Sequence, residues 1–262
     1  MPSPVEHAIA VDAANFALGN ESFELLGATF VRNTAIPDIY DANHVQFARP
    51  TTPDEIEAFL VAVEREYTHA GHRRFDVDFR TPPEFAARLA VEGYERDDGL
   101  ILLLEGPLIG TAPQYDIRPI ESEADWEAYW ELMIEDWREH HRRTKRKAAD
   151  EVARRMYQAH RLKVPPVRYF MAYVKEKPVA YFNSWEGIDG VGQVDDLYTQ
   201  PKHRKKGIAT ALIHHCVAEA RARGAKQVVI AADPTDTPKQ IYFRIGWRPV
   251  AIVSHYLKRL DS

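Results

Sequence analysis

Apolar residues recur along the chain at the spacings of strands and helices, and the resulting order of elements is repeated. Between residues 44 and 104 the pattern predicts strand, helix, strand, helix, strand. The same order returns at residues 194–199, 207–224, 227–232, 238–246 and 250–257. Short stretches also correspond: AGHRRFDVDF to RGAKQVVIAA, and FAARLAVEGYER to IYFRIGWRP. We interpret this as a weak internal repeat of one α/β unit, with a chance α/β pattern as the alternative.

The remaining pattern supplies the other elements and a division of the chain. A helix is expected at residues 4–18 and a strand at 23–31, and residues 74–79 alternate like a half-buried strand. The stretch 105–115 is rich in glycine and proline and reads as a linker, so we expect domains at residues 1–112 and 113–262.

The second half opens with a predicted strand at residues 116–120 and a helix marked by large apolar side chains. Trp126, Trp130, Met133 and Trp137 follow at i, i+4, i+7 and i+11, which places them on one helical face. Packing against a sheet is the ordinary role of such a face. Two further strands are expected at residues 167–174 and 179–185.

The stretch QVDDLYTQPKHRKKGIAT, residues 193–210, joins a strand, a basic turn, a glycine and a helix. Pro201 ends the strand, and the helix has an apolar stripe at Ile208, Leu212, Cys216 and Ala220. The first turn of a helix has unpaired N–H groups and partial positive charge, and glycine allows close approach to the backbone. The turn therefore predicts a phosphate site, to which Arg204, Lys205 and Lys206 add charge. A basic surface turn before an ordinary amphipathic helix is the alternative.

Composition narrows the class of protein. A hydrophobic content of 45% over 262 residues is enough for a sizeable core, and the single cysteine, Cys216, excludes a disulfide framework. The first residues lack the pattern of a signal peptide, and no apolar run approaches the length of a membrane span. The net charge of −5 argues against a general nucleic-acid binder. We expect a cytoplasmic protein without nucleic-acid or membrane partners.

The adjacent His140 and His141 could suggest a metal site, but no Cys, His or Asp cluster with ligand spacing accompanies them, so no metal is expected.

Two motifs in order resemble the GNAT superfamily of acetyl-CoA-dependent N-acyltransferases. The first is the family's Gln/Arg-x-x-Gly-x-Gly/Ala turn, matched here by Arg204, Gly207 and Ala209. About 30 residues later comes a segment similar to the family's tyrosine, basic residue, glycine and aromatic, at Tyr242, Arg244, Gly246 and Trp247. The resemblance covers roughly residues 115–260. It implies an α/β (α+β) GNAT fold with a mixed, mostly antiparallel twisted sheet flanked by helices. The first half would be a smaller, degenerate GNAT-like domain.

The resemblance also implies roles for individual residues. Tyr242 would be the general acid for the thiolate, and Asp195 or Asp196 the base that takes the amine proton, with Glu186 as a third option. Adjacent strand residues point to opposite faces, so one of the two aspartates is expected to face the pocket. The acetyl-CoA contacts would come from Leu197, Tyr198, Thr199, Arg204, Lys205, Lys206, Gly207, Ile208, Ala209 and Thr210. In the family the first helix and the loop after it wall the acceptor pocket, so one or two of the tryptophans would line it.

Two departures from the family pattern concern the donor site. Thr235 stands where the family usually has an asparagine that contacts CoA, and Pro238 stands where a small residue is usual. In the first half, ARPTTPDE at residues 48–55 has two acids and no glycine where the phosphate turn would lie. That half is therefore not expected to hold pyrophosphate.

The sequence thus favours an N-acetyltransferase that moves the acetyl group of acetyl-CoA to a primary amine by direct attack in a ternary complex. The acceptor would be a small-molecule or peptide amine. The alternatives are a non-catalytic acetyl-CoA sensor and an acyltransferase that uses a longer acyl-CoA. Either a monomer or a homodimer is consistent with the fused halves.

Overall fold

The computed structural model describes residues 2–144, 149–235 and 239–260. Pro238, at which the last helix was expected to begin, and the basic residues 145–147 lie outside these ranges. The first half contains α1 (Pro4–Ala17), β1 (Glu21–Leu25), β2 (Ala28–Arg32), β3 (His44–Gln46), α2 (Pro53–Glu66), β4 (His72–Val77), α3 (Pro83–Val91) and β5 (Glu95–Leu104). The second half contains β6 (Asp116–Pro119), α4 (Glu123–Thr144), α5 (Asp150–Leu162), β7 (Arg168–Val174), β8 (Lys177–Ile188), β9 (Val191–Thr199), α6 (Ile208–Ala222), β10 (Gln227–Ala232), α7 (Lys239–Ile245) and β11 (Arg248–Arg259).

Local sequence explains where the first helices begin. Ser3 caps α1 and Thr52 caps α2, and in both helices a glutamate three residues later bonds back to the cap, which completes a capping box. Proline occupies the first turn of each helix, where its missing N–H costs nothing. These ends are closed by side chains, whereas α6 begins at Gly207 without a side-chain cap.

One eleven-stranded sheet runs through the described chain in the order β1-β2-β3-β4-β11-β5-β10-β9-β8-β7-β6. Its pairs are antiparallel except β3 with β4 and β9 with β10. The predicted repeat is present in the order of elements, because β3-α2-β4-α3-β5 is followed later by β9-α6-β10-α7-β11. In each copy the parallel pair is formed by the first and second strands, which are β3 and β4 in the first copy and β9 and β10 in the second.

The two copies exchange their last strands. β5, from the first copy, lies between β11 and β10, and β11, from the second copy, lies between β4 and β5. Each terminal strand therefore extends the other copy's sheet, and a continuous sheet results. The boundary at residues 112 and 113 stays a prediction.

Helices cover the sheet on both faces and bury its apolar side chains. On one face α6 and α7 pack over a cluster that includes the predicted stripe Ile208, Leu212, Cys216 and Ala220, which is confirmed as buried. On the other face α1 and α4 pack over β7, β8 and β9. A third cluster unites α2 and α3 with β2, β3 and β4.

Three sequence-based expectations need correction. The single strand expected at residues 23–31 is a hairpin, because Leu26 and Gly27 turn the chain with positive φ. The expected half-buried strand is buried throughout as β4, since the buried Arg74 pairs with the buried Asp76 and with the half-exposed Asp41. Helix α5 was not predicted, because its polar sequence has few apolar markers.

The predicted linker, residues 105–115, has neither helix nor strand but is packed against the second half. Ile109 N–H donates to the Ile245 carbonyl at 2.9 Å, and the Tyr115 hydroxyl donates to the Lys206 carbonyl at 2.5 Å. Among the described residues, no helix has the length and apolar character needed to cross a membrane.

Candidate active site

Strands β9 and β10 pair over only part of their length and then separate. Val191–Gln193 pair with Gln227–Val229, and beyond this point β10 has no register with β9. The gap is a cavity of about 180 Å³, called here the strand-end cavity. Its described lining comes from both strands and from α7, and comprises Phe182, Asp195, Asp196, Leu197, Ile230, Ala231, Ala232, Asp233, Lys239 and Tyr242. The sheet is thus opened at the point where the sequence predicted chemistry.

A bulge in β9 shapes this opening. Asn183 of β8 pairs with Asp195 and Tyr181 pairs with Tyr198, so Asp196 and Leu197 together oppose one residue of β8. Asp196 has a φ of +60°, in the left-handed region. The expected alternation of the two aspartates is interrupted here, because a bulge re-aims side chains. Both carboxylates instead lie near enough to Tyr169 to raise the pKa of its hydroxyl, after the larger effect of burial.

A second, larger cavity lies on the other side of the bulge. It measures about 970 Å³ and is called here the interhalf cavity, because both halves of the chain line it. The first half contributes residues 38–41 and 71–72. The second half contributes residues of α4, α5, β8, β9 and the end of β11. Asp196 and Leu197 line both cavities. The bulge is therefore the wall that the two cavities share.

The paired aspartates differ in their surroundings. Burial raises the pKa of Asp195 well above its usual range, and the neighbouring Asp196 carboxylate adds to the effect. Asp196 accepts a hydrogen bond from Asn183 Nδ2 at 2.9 Å, which stabilises a charged carboxylate. Burial therefore favours the neutral form of Asp195, and Asp196 is the one of the pair whose carboxylate is bound by an amide donor.

His160 of α5 adds a second support for Asp196. Its Nε2 lies 3.7 Å from Asp196 Oδ2, and its Nδ1 lies 2.7 Å from the Tyr129 hydroxyl. Burial lowers the pKa of His160 and raises that of Tyr129, so both are neutral at pH 7. Because the Asp196 carboxylate can only accept, we place the imidazole proton on Nε2, facing it, and in this tautomer Nδ1 accepts from the Tyr129 hydroxyl.

Asp136 of α4 is a cavity carboxylate that sequence reasoning missed. Its pKa is raised to about 6, mainly by burial; the Tyr181 hydroxyl, which donates to Oδ2 at 2.9 Å, opposes the shift, and Glu139 and Asp196 add to it. The available signal was its place one residue before Trp137, on the face predicted to wall the acceptor pocket. Trp137 does line the interhalf cavity, whereas Trp126 is buried.

The other predicted catalytic residues are placed differently. Tyr242 is buried on α7 and lines the strand-end cavity together with Asp195 and Asp196. Glu186 pairs with Arg223 and is not among the described lining residues of either cavity. The structure therefore brings Tyr242 to the aspartates and leaves Glu186 apart from them.

The basic turn before α6 has the features of an anion site in its backbone. Gly207 has a φ of +85° and Lys205 a φ of +60°, and the N–H groups of the first turn, at Ile208, Ala209 and Thr210, follow without a side-chain cap. The Arg204 side chain is engaged elsewhere, since it donates to the Thr199 carbonyl and forms a bidentate pair with Glu139 at 2.7 and 2.8 Å. Lys206 Nζ donates to the Lys202 carbonyl.

Of the predicted contacts on β9, Leu197 alone reaches both cavities. Tyr198 is buried against Tyr181, and Thr199 is buried beside it. The strand edge that faces away from β8 after Gln193 has no strand partner in the described chain, so its backbone groups are open to a pantetheine arm. The open helix start and the open strand edge together fit an acyl-CoA, with phosphates at the first and thioester at the second. In residues 2–144, 149–235 and 239–260 no group of three or more His, Cys, Asp and Glu could hold a metal ion.

Comparison with known proteins establishes the fold and gives a family match within the second half of the chain. Residues 126–247 match the model of the acetyltransferase (GNAT) family. No curated protein matches the chain by sequence. A conserved protein of unknown function from Staphylococcus epidermidis is 16% identical, with a TM-score of 0.71 over 92% of this chain and 95% of that chain. A GCN5-related N-acetyltransferase from Kribbella flavida is 17% identical, with a TM-score of 0.69 over 98% of this chain and 96% of that chain.

A tandem protein is also similar. A tandem GNAT protein from the clavulanic acid biosynthesis pathway is 14% identical, with a TM-score of 0.57 over 84% of this chain and 76% of that chain. At such identities the likeness establishes the fold. The predicted fold class, a GNAT domain with a second GNAT-like half, is thereby confirmed.

Proposed function

We propose that the chain is an acetyl-CoA-dependent N-acetyltransferase acting on a primary amine, because residues 126–247 match the acetyltransferase (GNAT) family and the fold resembles that of a GCN5-related N-acetyltransferase. The observation that carries the proposal is the pair of cavities that meet at Asp196 and Leu197. Donor and acceptor can enter from opposite sides and react at this shared wall. Direct transfer in a ternary complex then needs no covalent enzyme intermediate.

The residues at the wall have the chemistry that each proton transfer requires. Asp196 takes one proton from the acceptor ammonium, whose reference pKa is near 10.4 for an alkyl amine. The freed nitrogen lone pair attacks the thioester carbonyl carbon and forms the C–N bond. Open N–H groups on the β9 edge stabilise the developing oxyanion.

Collapse of the tetrahedral species breaks the C–S bond. Tyr242 donates its hydroxyl proton to the leaving thiolate, and the second proton lost by the nitrogen replaces it. The products are an amide and a free thiol, and the proton on Asp196 returns to solvent. Asp195 is not assigned a proton-transfer role, because burial keeps it protonated.

The size of the strand-end cavity supports an acetyl donor. Its volume of about 180 Å³ suits the end of a pantetheine arm with a short acyl group. A longer acyl chain would have to extend past Leu197 into the interhalf cavity, where it would compete with the acceptor.

The proposal is tested by measuring thiol release from acetyl-CoA across a panel of amines, with acetyl-CoA binding measured in parallel by calorimetry. We expect release that depends on both acetyl-CoA and an amine, with intersecting lines when the two concentrations are varied. Tight acetyl-CoA binding without turnover on any amine would favour the sensor alternative. Absence of acetyl-CoA binding would overturn the assignment of residues 204–210.

A further inference from the structure

The interhalf cavity has a charge arrangement that indicates which kind of amine it accepts. Two of its described carboxylates are already neutralised by arginine. Asp38 receives two hydrogen bonds from Arg155, at 2.6 and 2.8 Å, and Asp41 pairs with Arg74. These ion pairs anchor the outer wall and leave little charge for a ligand.

The two carboxylates nearest the reaction centre are held by neutral groups instead. Tyr181 donates to Asp136, and Asn183 donates to Asp196. Tyr181 and Asn183 are two residues apart on β8 and so lie on one face of the strand, and the two carboxylates that they bind both line the interhalf cavity. In agreement with this placement, Asp196 contributes to raising the pKa of Asp136. A cation placed between them would relieve their repulsion, which makes this the natural seat of an ammonium group.

Most of the remaining wall is apolar. Met133 and Trp137 come from α4, Val152 and Met156 from α5, and Ile39 from the first half. A volume of about 970 Å³ is far more than a short alkyl amine needs, and it is in the range of pockets that bury drug-sized ligands. An aromatic or branched body would fill this space beside Trp137, whose ring packs on that of His141 with 3.9 Å between the centroids.

The described lining also disfavours an acceptor with its own carboxylate. Its one arginine, Arg259, is engaged, because it donates to Glu95 at 2.8 Å and to the Tyr40 hydroxyl at 3.2 Å. His72 is buried with its pKa lowered to about 4, so it is neutral at pH 7. The carboxylate of a zwitterionic amino acid would find no lysine and no unengaged arginine among the described lining residues, where His140, His141 and the neutral His160 are the remaining basic side chains.

We propose that the interhalf cavity binds a primary amine with a bulky apolar body and a single positive charge, and that Asp136 is the residue that binds its ammonium group. This inference rests on the proposed function. Asp136 holds the cation as it arrives, and Asp196 removes the proton as the nitrogen reaches the shared wall. The first half contributes the outer wall of the cavity, which gives the degenerate copy a part in substrate selection.

The test uses four probe amines and direct binding. Tryptamine represents the proposed class, butylamine lacks the bulk, spermidine has several charges, and tryptophan adds a carboxylate to the same ring. We expect kcat/KM for tryptamine to exceed that for each of the other three at least tenfold. Asp136→Asn should raise the KM and the calorimetric Kd for tryptamine at least tenfold, with a much smaller change in kcat.

Two variants serve as controls. Glu131→Gln makes the same charge change at an exposed position of α4 and should leave both constants unchanged. Val152→Phe narrows the cavity and should weaken tryptamine more than butylamine, a size dependence that general damage to the fold would not produce.

The outcomes separate this inference from the proposed function. If another amine is acetylated while tryptamine neither binds nor reacts, the inference is overturned and the transferase stands. If tryptamine binds in an Asp136-dependent manner but no acetyl group is transferred to any amine, the site is supported and the proposed function fails. Equal kcat/KM for tryptamine and tryptophan would also refute the inference.

Discussion

Asp12 of α1 makes the stability of the fold depend on pH in a direction that can be worked out. Its side chain is 4% exposed and accepts a hydrogen bond from Gln193 Nε2 at 3.0 Å. Its pKa is raised from 3.8 to about 6, mainly by burial; the nearby Asp76 adds to this shift, while His255, the Gln193 hydrogen bond and Lys163 oppose it. Asp12→Asn replaces the carboxyl with a neutral group of the same shape that can still accept this bond.

The magnitude follows from the shift. A difference of about two pKa units corresponds to about 3 kcal/mol between the two protonation states. Because the folded-state pKa lies above the unfolded one, the native state holds the proton more tightly, and its stability falls as pH rises from about 4 to about 6. Above that window the penalty is constant, and below it the penalty disappears.

Urea denaturation of wild type and Asp12→Asn at two pH values checks this reasoning. The variant should be more stable by about 3 kcal/mol at pH 7.5 and by only about 1 kcal/mol at pH 4.5. In a thermal scan at pH 7.5 the gain corresponds to a Tm increase on the order of 8 °C for a chain of this size. The exposed control Asp97→Asn should stay within about 0.5 kcal/mol of wild type at both pH values. A variant that is no more stable than wild type at pH 7.5, or a gain that is independent of pH, would refute the argument.

Three further predictions concern the shared wall and the phosphate turn. Asp196→Asn should lower kcat/KM by about 10² to 10⁴, as expected for a general base, while Asp195→Asn should stay within a few fold; equal losses would remove the distinction between them. Tyr242→Phe should lower kcat at least about tenfold with the calorimetric Kd for acetyl-CoA unchanged, and full activity would exclude it as the acid. Gly207→Ala forces a Cβ to within 2.9 Å of Pro113 at a φ of +85°, so the Kd for acetyl-CoA should rise about tenfold, whereas Gly106→Ala, in open space, should not change it.

The phosphate turn could be predicted from sequence because its function lies in the backbone. A glycine after a basic turn, followed by an apolar stripe, determines a helix start with open N–H groups, and the structure has that start at Gly207. Most of the order of strands and helices could also be predicted, since it depends on local periodicity; helix α5 and the hairpin of β1 and β2 could not. The exchange of β5 and β11 was not, because pairing between distant segments leaves no local pattern.

The details of the site required the fold. The sequence VDDLY contains no glycine, so a left-handed Asp196 within a strand could not be expected, and simple alternation placed the two aspartates on opposite faces. Asp136 could not be told from the other acids of α4, half of which are exposed to solvent. Its importance depends on two neighbours that are distant in sequence, Tyr181 and Asp196.

The central claim is that donor and acceptor occupy two cavities that meet at Asp196 and Leu197. Its most direct test is the binding of a conjugate in which the nitrogen of tryptamine is joined through an acetyl carbon to the sulfur of CoA. If both cavities are used at once, calorimetry should give a Kd at least about 100-fold lower than that of CoA, because the second contact becomes intramolecular. In Val152→Phe, most of that gain should be lost while the affinity for CoA itself is retained. A conjugate that binds wild type no better than CoA would contradict the account.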